Sequence, residues 1–317
     1  MSEVRVLVLL STYNGEAYLE QQLNSLLEQA GVDLHILVRD DGSSDSTATI
    51  LKDYQERYPD KLSLIFGENV GLPHSYFELI KHAGSDMSNC YPYFAFCDQD
   101  DVWLPDKLQR ATVSLQSEKD SGAPLMYCSS TQMVDCQLNK LGIWPTYPAK
   151  KLSLYNALVE NVAVGCTTVL NRVALMQIAA HVPQNPNRVI MHDWWAYLWV
   201  SALGRVIFDK HPAILYRQHG GNTLGGQHEK SLAKWVKRLW RFFRGSNHFI
   251  LSNQARQFYH CFGHLIDEET RQEVLDFLRA AEGSLLYRAK YILRLPLYRQ
   301  RPADQLVLGL MILLRRI

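Results

Sequence analysis

The sequence predicts an α/β protein: a parallel sheet with helices on both faces, followed by a basic helical region. Three observations carry that expectation. Short apolar runs alternate with helical stripes four times within about 115 residues, the pattern of a parallel sheet. Acid-rich polar loops follow the strands, and open sheets bind ligands at the carboxyl ends of their strands. Composition then shifts at Gly220–Gly226, where four of seven residues are glycine.

Val4–Leu10 is an apolar run broken by the polar STYNGE, as expected of a buried strand ending in a loop. Glu16–Gln29 carries Tyr18, Leu19, Leu23, Leu26 and Leu27 at approximate helical spacing. Leu34–Val38 is a second strand, ending in RDDGSSDST. Ser46 or Asp45 can cap the next helix, Thr47–Tyr58. Leu62–Phe66 is a third strand, followed by GENVGLPHS and a helix at Tyr76–His82. Tyr93–Cys97 is a fourth, closing on DQDDVWLPDKL, with a helix over Pro105–Ser117. Beyond Leu125 the pattern is less regular. Thr167–Asn171 suits a strand, Arg172–His181 a helix, and Asp193–Leu203 a buried, Trp-rich helix. The glycine run divides the chain into residues 1–225 and 226–317. The second part is expected to form amphipathic helices at 231–244, 253–264, 268–281 and 285–317.

Charge follows the same division. Residues 1–230 hold 18 Lys/Arg against 25 Asp/Glu, and residues 231–317 hold 15 against 7. A cationic tail with Trp235, Trp240, Phe242 and Phe243 among its cations suits an anionic membrane surface, or a helical unit packed on the core. The basic patch is short and carries no nucleic-acid motif, so nucleic acid is not an expected partner. The longest apolar stretch, Leu306–Leu314, is about half of the roughly 18 residues a membrane span needs. The opening MSEVRVLVLLSTYNGE is too quickly polar for a secretory signal, and the six cysteines include no CxxC pair. A cytoplasmic protein with reduced thiols is expected.

Four features carry chemistry. Asp40 and Asp41 sit at a strand tip beside Gly42, where a carboxylate accepts hydrogen bonds from a base or a ribose; a turn and helix cap would need the same residues. Asp98, Asp100 and Asp101 crowd three carboxylates into four residues. A hard divalent cation, Mg²⁺ or Mn²⁺, relieves that repulsion and keeps positions open for phosphate. Asp193 opens an aromatic-rich helix, where apolar surroundings raise a carboxyl toward general-base duty; a plain N-cap is the alternative. Arg217, Gln218 and His219 precede the glycine run, offering a phosphate fork and a metal-ligating imidazole, or a polar boundary loop.

Taken in order, LSTYNGEAYLEQQLNSLLEQ, VRDDGSSDST, ENVG, FCDQDDVWLPDKL, GCTTVLNR, HDWW and YRQHGGN resemble the inverting glycosyltransferases of family 2 across residues 4–225. The resemblance implies a GT-A fold with a mostly parallel central sheet and a C-terminal helical extension. It implies a nucleotide-sugar donor, dTDP- or UDP-linked, and a glycan or lipid-linked acceptor hydroxyl. Thr12, Tyr13 and Asp41 would hold the nucleoside, with Asp40 and Asn69 beside them. Asp100 would be the main metal ligand, with Asp98 at the ribose or metal shell and His219 completing the metal or diphosphate site. Asp193 would deprotonate the acceptor. Gly165, Cys166 and Trp194 would line the acceptor pocket, with His192 tuning Asp193 or contacting the acceptor. His192 stands where the family often has Glu. The motifs look most like bacterial rhamnosyltransferase-type enzymes of surface polysaccharide assembly, working on the inner face of the cytoplasmic membrane. Two other readings compete. Asp98-Gln99-Asp100-Asp101-Val102 nearly matches the nucleophile loop of haloacid-dehalogenase phosphohydrolases, although about 95 residues into the chain. An inactive nucleotide-sugar-binding, membrane-associated protein would keep the pocket without turnover.

Overall fold

The computed structural model describes residues 3–118, 122–220 and 249–317. Asn222, the glycine run after Gly220 and the Lys234–Arg244 segment expected to form a basic helix lie outside the described residues.

The first half alternates as the hydrophobic periodicity predicts: β1 (Val4–Thr12), α1 (Leu19–Leu27), β2 (Val32–Asp40), α2 (Thr47–Arg57), β3 (Leu62–Phe66), α3 (His74–His82) and β4 (Tyr93–Cys97). A two-residue β5 (Val102–Trp103) and α4 (Lys107–Gln116) follow. Then come β6 (Leu125–Ser129), β7 (Thr131–Val134), β8 (Lys140–Trp144), the one-turn α5 (Leu154–Ala157), β9 (Val169–Asn171) and α6 (Arg172–Ala180). The unit ends with α7 (His192–Leu203), β10 (Arg205–Asp209) and β11 (Ile214–Arg217).

The main sheet has seven strands in the order β10-β6-β9-β4-β1-β2-β3. It is parallel except at β9, which pairs antiparallel with both β4 and β6. The chain winds outward from β1 through β2 to β3, then returns to place β4 on the other side of β1. That reversal opens a crevice at the carboxyl ends of β1 and β4, where ligands bind in sheets of this kind. Successive side chains of a strand point to opposite faces, so the strands feed two cores. Leu7, Leu9, Phe94 and Phe96 pack into one, and Val6, Val8, Leu10, Ala95 and Cys97 into the other.

A second sheet, β5-β11-β7-β8, decides the site. β5 leads out of the acidic loop and pairs antiparallel with β11, with Ile214 opposite Trp103 and Leu215 opposite Val102. This pairing carries Arg217 and His219 to a loop more than 110 residues earlier in the chain.

The described C-terminal residues form α8 (Ile250–Phe262), α9 (Glu268–Glu282), α10 (Leu285–Arg294) and α11 (Pro302–Leu313). The last helical stretch, 285–317, is divided into two helices. Pro296 disfavours helical backbone at Leu295, which sits at φ −25° and ψ 99°. These helices share a core with the sheet: Phe258, Phe262, Phe277, Leu308, Ile312 and Ile317 are buried in the same cluster as Leu7 and Phe94. The Phe262 ring lies 3.9 Å from Trp199 of α7. The buried Gln254 of α8 accepts a hydrogen bond from Ile190 N at 2.9 Å, so a tail helix holds the backbone two residues before α7.

Candidate active site

The loops after β1 and β2 are laced together. Thr12 Oγ1 donates to Asp40 Oδ1 at 2.9 Å, and Ser43 donates to the same carboxylate through both N–H and hydroxyl. Asn14 N donates to Ser43 Oγ, and Gly15 N to Thr47 Oγ1. Asp41 is buried, ion-paired with Arg39, and accepts from Val70 N and Gly71 N at 3.0 and 2.7 Å. Gly42 adopts φ +75°, and a Cβ there would stand 3.0 Å from Asn69 N, so the 67–71 loop can lie this close only against glycine. The structure thus gathers Thr12, Asp40, Asp41 and Asn69. The two carboxylates, however, spend most of their acceptor capacity on the protein and form a floor. Tyr13, 48% accessible, and Asn69 are among the exposed groups of the loops around that floor.

Gln99 is a residue that sequence reasoning missed. Its Oε1 accepts from Tyr13 N at 2.9 Å and its Nε2 donates to Tyr13 O at 3.0 Å. This two-bond clamp fixes the acidic loop to the loop after β1. Its only trace in the sequence is a position between two aspartates.

Within the acidic loop the three carboxylates part company. Asp100 is partly exposed, and its Oδ2 lies 2.7 Å from His219 Nε2. Asp98 Oδ1 accepts from Tyr76 OH at 3.1 Å. Burial, together with the charges of Asp100 and Asp193, lifts the Asp98 carboxyl to about 7. Asp101 is fully buried, accepts from Arg217 N at 3.1 Å, and is raised well above the carboxylate range by burial and its two acidic neighbours. One ligand atom each of Asp98, Asp101 and the buried Cys166 lies within 4.8 Å of the others. The buried Lys107, pushed down to about 7 by burial, has its Nζ 3.3 Å from the centre of the Trp103 ring. The donor set fits a hard divalent cation: carboxylate oxygens crowded enough to resist ionising together, with an imidazole at the rim. Asp100 and His219, partly open to solvent, suit such an ion better than the enclosed Asp101 and the thiol of Cys166, whose burial keeps it protonated.

Arg217 corrects an expectation. It was expected to grip phosphate, but it is 1% exposed and its guanidinium bonds inward. Nε donates to Asp100 O at 2.8 Å, Nη1 to Cys136 O at 2.8 Å and Nη2 to Gln21 Oε1 at 2.5 Å, while the group stacks 4.5 Å over Tyr18. A planar fork with five donors braces the acidic loop from behind. Arg217→Lys should lose about 2–4 kcal/mol of stability, because buried carbonyls are left unsatisfied. A urea unfolding midpoint equal to that of the unchanged protein would show the brace to be dispensable.

Asp193 opens α7 and is 7% exposed. Its Oδ2 accepts from Asn161 Nδ2 at 3.2 Å and its Oδ1 from Trp194 N at 2.6 Å. Burial raises its carboxyl to about 6, partly offset by those donors and by Gly165 N–H. A Cβ on Gly165 would meet Asp193 Oδ2 at 3.3 Å, so glycine lets the 165–167 turn close over the carboxylate. His192 is buried and stacks on Tyr76, centroids 3.5 Å apart, with Phe96 at its edge. Burial pushes it down to about 3, so it is neutral. Tyr76, from α3, therefore touches both Asp98 and His192, a link that nothing in the sequence signalled. Trp194 is also a correction. It is partly buried: its indole Nε1 donates to Ala157 O at 2.6 Å and its ring packs on the main core, so its N–H is not available to hydrogen-bond an acceptor.

A mostly parallel sheet, with a crowded carboxylate loop at its switch point and a buried aspartate opening a helix beside it, defines a GT-A type glycosyltransferase. Residues 7–179 match glycosyl transferase family 2, more than half of the chain, and the protein belongs to that family. It is 29% identical over 231 residues to the dTDP-rhamnosyl transferase RfbG of Shigella flexneri, a match covering 68% of this chain and 73% of that protein. It is 26% identical to the UDP-Glc:alpha-D-GlcNAc-diphosphoundecaprenol beta-1,3-glucosyltransferase WfgD of Escherichia coli, covering 64% of this chain and 71% of that one. Its fold matches S. aureus TarS 1-349, solved with UDP, at a TM-score of 0.56 and 16% identity, over 99% of this chain and 81% of that one. Family membership sets aside the phosphohydrolase reading of the acidic loop.

Proposed function

We propose that the protein is an inverting glycosyltransferase that moves a sugar from a dTDP- or UDP-linked donor to a hydroxyl of a glycan or lipid-linked acceptor in bacterial surface polysaccharide synthesis. The observation that carries this reading is the placement of two acidic sites on one crevice: Asp100 with His219 at its rim, and Asp193 buried beside it. Tyr13 stacks on the base and Asn69 hydrogen-bonds the nucleoside, over the floor made by Thr12, Asp40 and Asp41. Asp98, Asp100 and His219 would hold Mg²⁺ or Mn²⁺, which supplies charge neutralisation of the departing diphosphate. Asp193 takes the acceptor proton as the hydroxyl oxygen attacks the anomeric carbon opposite the diphosphate. One displacement inverts the configuration. Gly165 keeps Asp193 close to the backbone turn that borders this space, and Asn161 orients the carboxylate. The similarity to a dTDP-rhamnosyl transferase favours a dTDP-linked sugar, and that to a diphosphoundecaprenol-directed enzyme favours a lipid-linked acceptor. Work at the inner face of the cytoplasmic membrane, with the C-terminal region on the lipid surface, follows from such an acceptor.

The test is a thermal-shift panel of UDP, dTDP and GDP with and without Mn²⁺. A shift that needs both metal and one nucleotide supports the reading and names the base. No shift with any of them would sink donor binding.

The Asp193 carboxyl also predicts a pH profile. A raised value means the proton is held up to about pH 6, and the protonated acid cannot accept another. Transfer at saturating substrates should fall about tenfold per unit below pH 6 and level off above it. A rate flat from pH 5 to 8 would remove Asp193 as the base.

A further inference from the structure

We propose that the solvent side of α10 and α11 is a docking face for an anionic phospholipid bilayer. The inference rests on the membrane part of the function proposed above and adds the surface that makes the contact. α10 and α11 are two-faced. Inward, Tyr291, Leu308 and Ile312 are buried in the main core. Outward, Leu285, Leu286 and Leu293 of α10 are 60%, 67% and 89% exposed, and Leu306 of α11 is 78% exposed. Leu310 and Leu314 are also exposed and continue from Leu306 at four-residue steps, so the three form one row along the helix. Leu286 and Leu293, seven apart, form another row on α10. A Cβ on Gly309 would sit 3.9 Å from Ile292 Cγ2, so the two helices lie side by side. Water-facing leucines in such number are costly on a soluble surface and mark an interaction site.

The charge around them selects the partner. Residues 285–317 carry seven Lys/Arg against one acid, Asp304. Lys290, Arg301 and Arg315 are exposed among the leucines, while the exposed Arg294 is ion-paired with Asp276 of α9. Apolar side chains that enter an acyl boundary, ringed by cations at headgroup depth, are how an interfacial helix holds an anionic leaflet. No helix among the described residues is long and apolar enough to cross a membrane, so contact along the surface is the geometry available to these helices. The buried faces fix the helices to the catalytic unit, and α8 in turn holds the backbone before Asp193. Docking through this face therefore sets the whole catalytic unit against the lipid surface.

The experiment is co-sedimentation of the full chain with sucrose-loaded vesicles, either phosphatidylcholine alone or phosphatidylcholine with phosphatidylglycerol. Truncation is unsuitable because the tail helices fill the core. The unchanged protein should pellet with the anionic vesicles, and less so in high salt. The variant Leu286→Gln/Leu293→Gln/Leu306→Gln should bind them at least about tenfold more weakly, with its melting temperature and its nucleotide-dependent thermal shift unchanged. Equal binding by the variant would overturn this face while leaving membrane contact through another part of the chain. Absence of vesicle binding by the unchanged protein would overturn both. Concentration-dependent dimerisation that the same variant abolishes, without vesicle binding, would make the face a contact between copies and would equally overturn the proposal.

Discussion

Asp193→Asn should cut transfer by about 10²–10⁴-fold, the contribution expected of a general base, while donor affinity stays within about twofold. The substitution keeps the side chain's shape beside Asn161 and Gly165 and removes the charge that the proposed mechanism uses to accept a proton. It also removes a carboxylate that is buried and ionises reluctantly. Against that relief, the new amide nitrogen cannot accept the hydrogen bond that one carboxylate oxygen takes from Asn161 or Trp194, so the melting temperature is measured alongside activity to separate loss of activity from loss of fold. The measurement is kcat for transfer alongside nucleotide-sugar affinity by calorimetry. Activity within tenfold of the unchanged protein would move the base elsewhere. A parallel collapse of donor affinity would instead place Asp193 in the donor site.

The second large effect is expected at the metal. Asp100→Ala should weaken Mn²⁺-dependent nucleotide binding by about 100-fold or more, since a cation between carboxylate and diphosphate supplies several kcal/mol. His219 loses its hydrogen bond to Asp100 in the same step. Metal-free melting should change little, because Asp100 is partly exposed and its charge bears on Asp98 and Asp101. A titration of dTDP or UDP with and without Mn²⁺ separates the outcomes. Metal-dependent binding that survives in the variant would assign the ion to the inner group of Asp98, Asp101 and Cys166. The two substitutions should therefore fail differently, Asp193→Asn in transfer and Asp100→Ala in binding.

Much of this site was legible in the sequence for one reason: charge is expensive to crowd or bury. Three carboxylates in four residues, and an aspartate opening a helix with Trp194, Trp195 and Trp199, each demand a compensating role. The strands were legible because their buried runs are continuous, and their loops because glycine and aspartate terminate them. Less legible were the assignments that depend on a partner. A guanidinium beside a glycine-rich loop suits a phosphate or a set of buried carbonyls equally well, and pairing of β5 with β11 decides for the carbonyls. The indole of Trp194 looked available to an acceptor until α5 supplied Ala157 O. Gln99 and Tyr76 gave no signal because amide and phenol side chains are common and their partners, Tyr13 and His192, lie 86 and 116 positions away in the chain.

The sequence by itself determined the alternation of strands and helices, the acidic loops at strand ends and the cationic character of the tail. Those are properties of residue order and periodicity, and any fold of this chain must accommodate them. Tertiary structure alone decided that β9 runs antiparallel, that Arg217 turns inward, that His192 is sandwiched and neutral, and that the tail helices complete the core while leaving leucines outward. Each of these is a choice among partners of similar chemistry. Burial and hydrogen-bond geometry make that choice once the chain has closed on itself, and neither exists before it does.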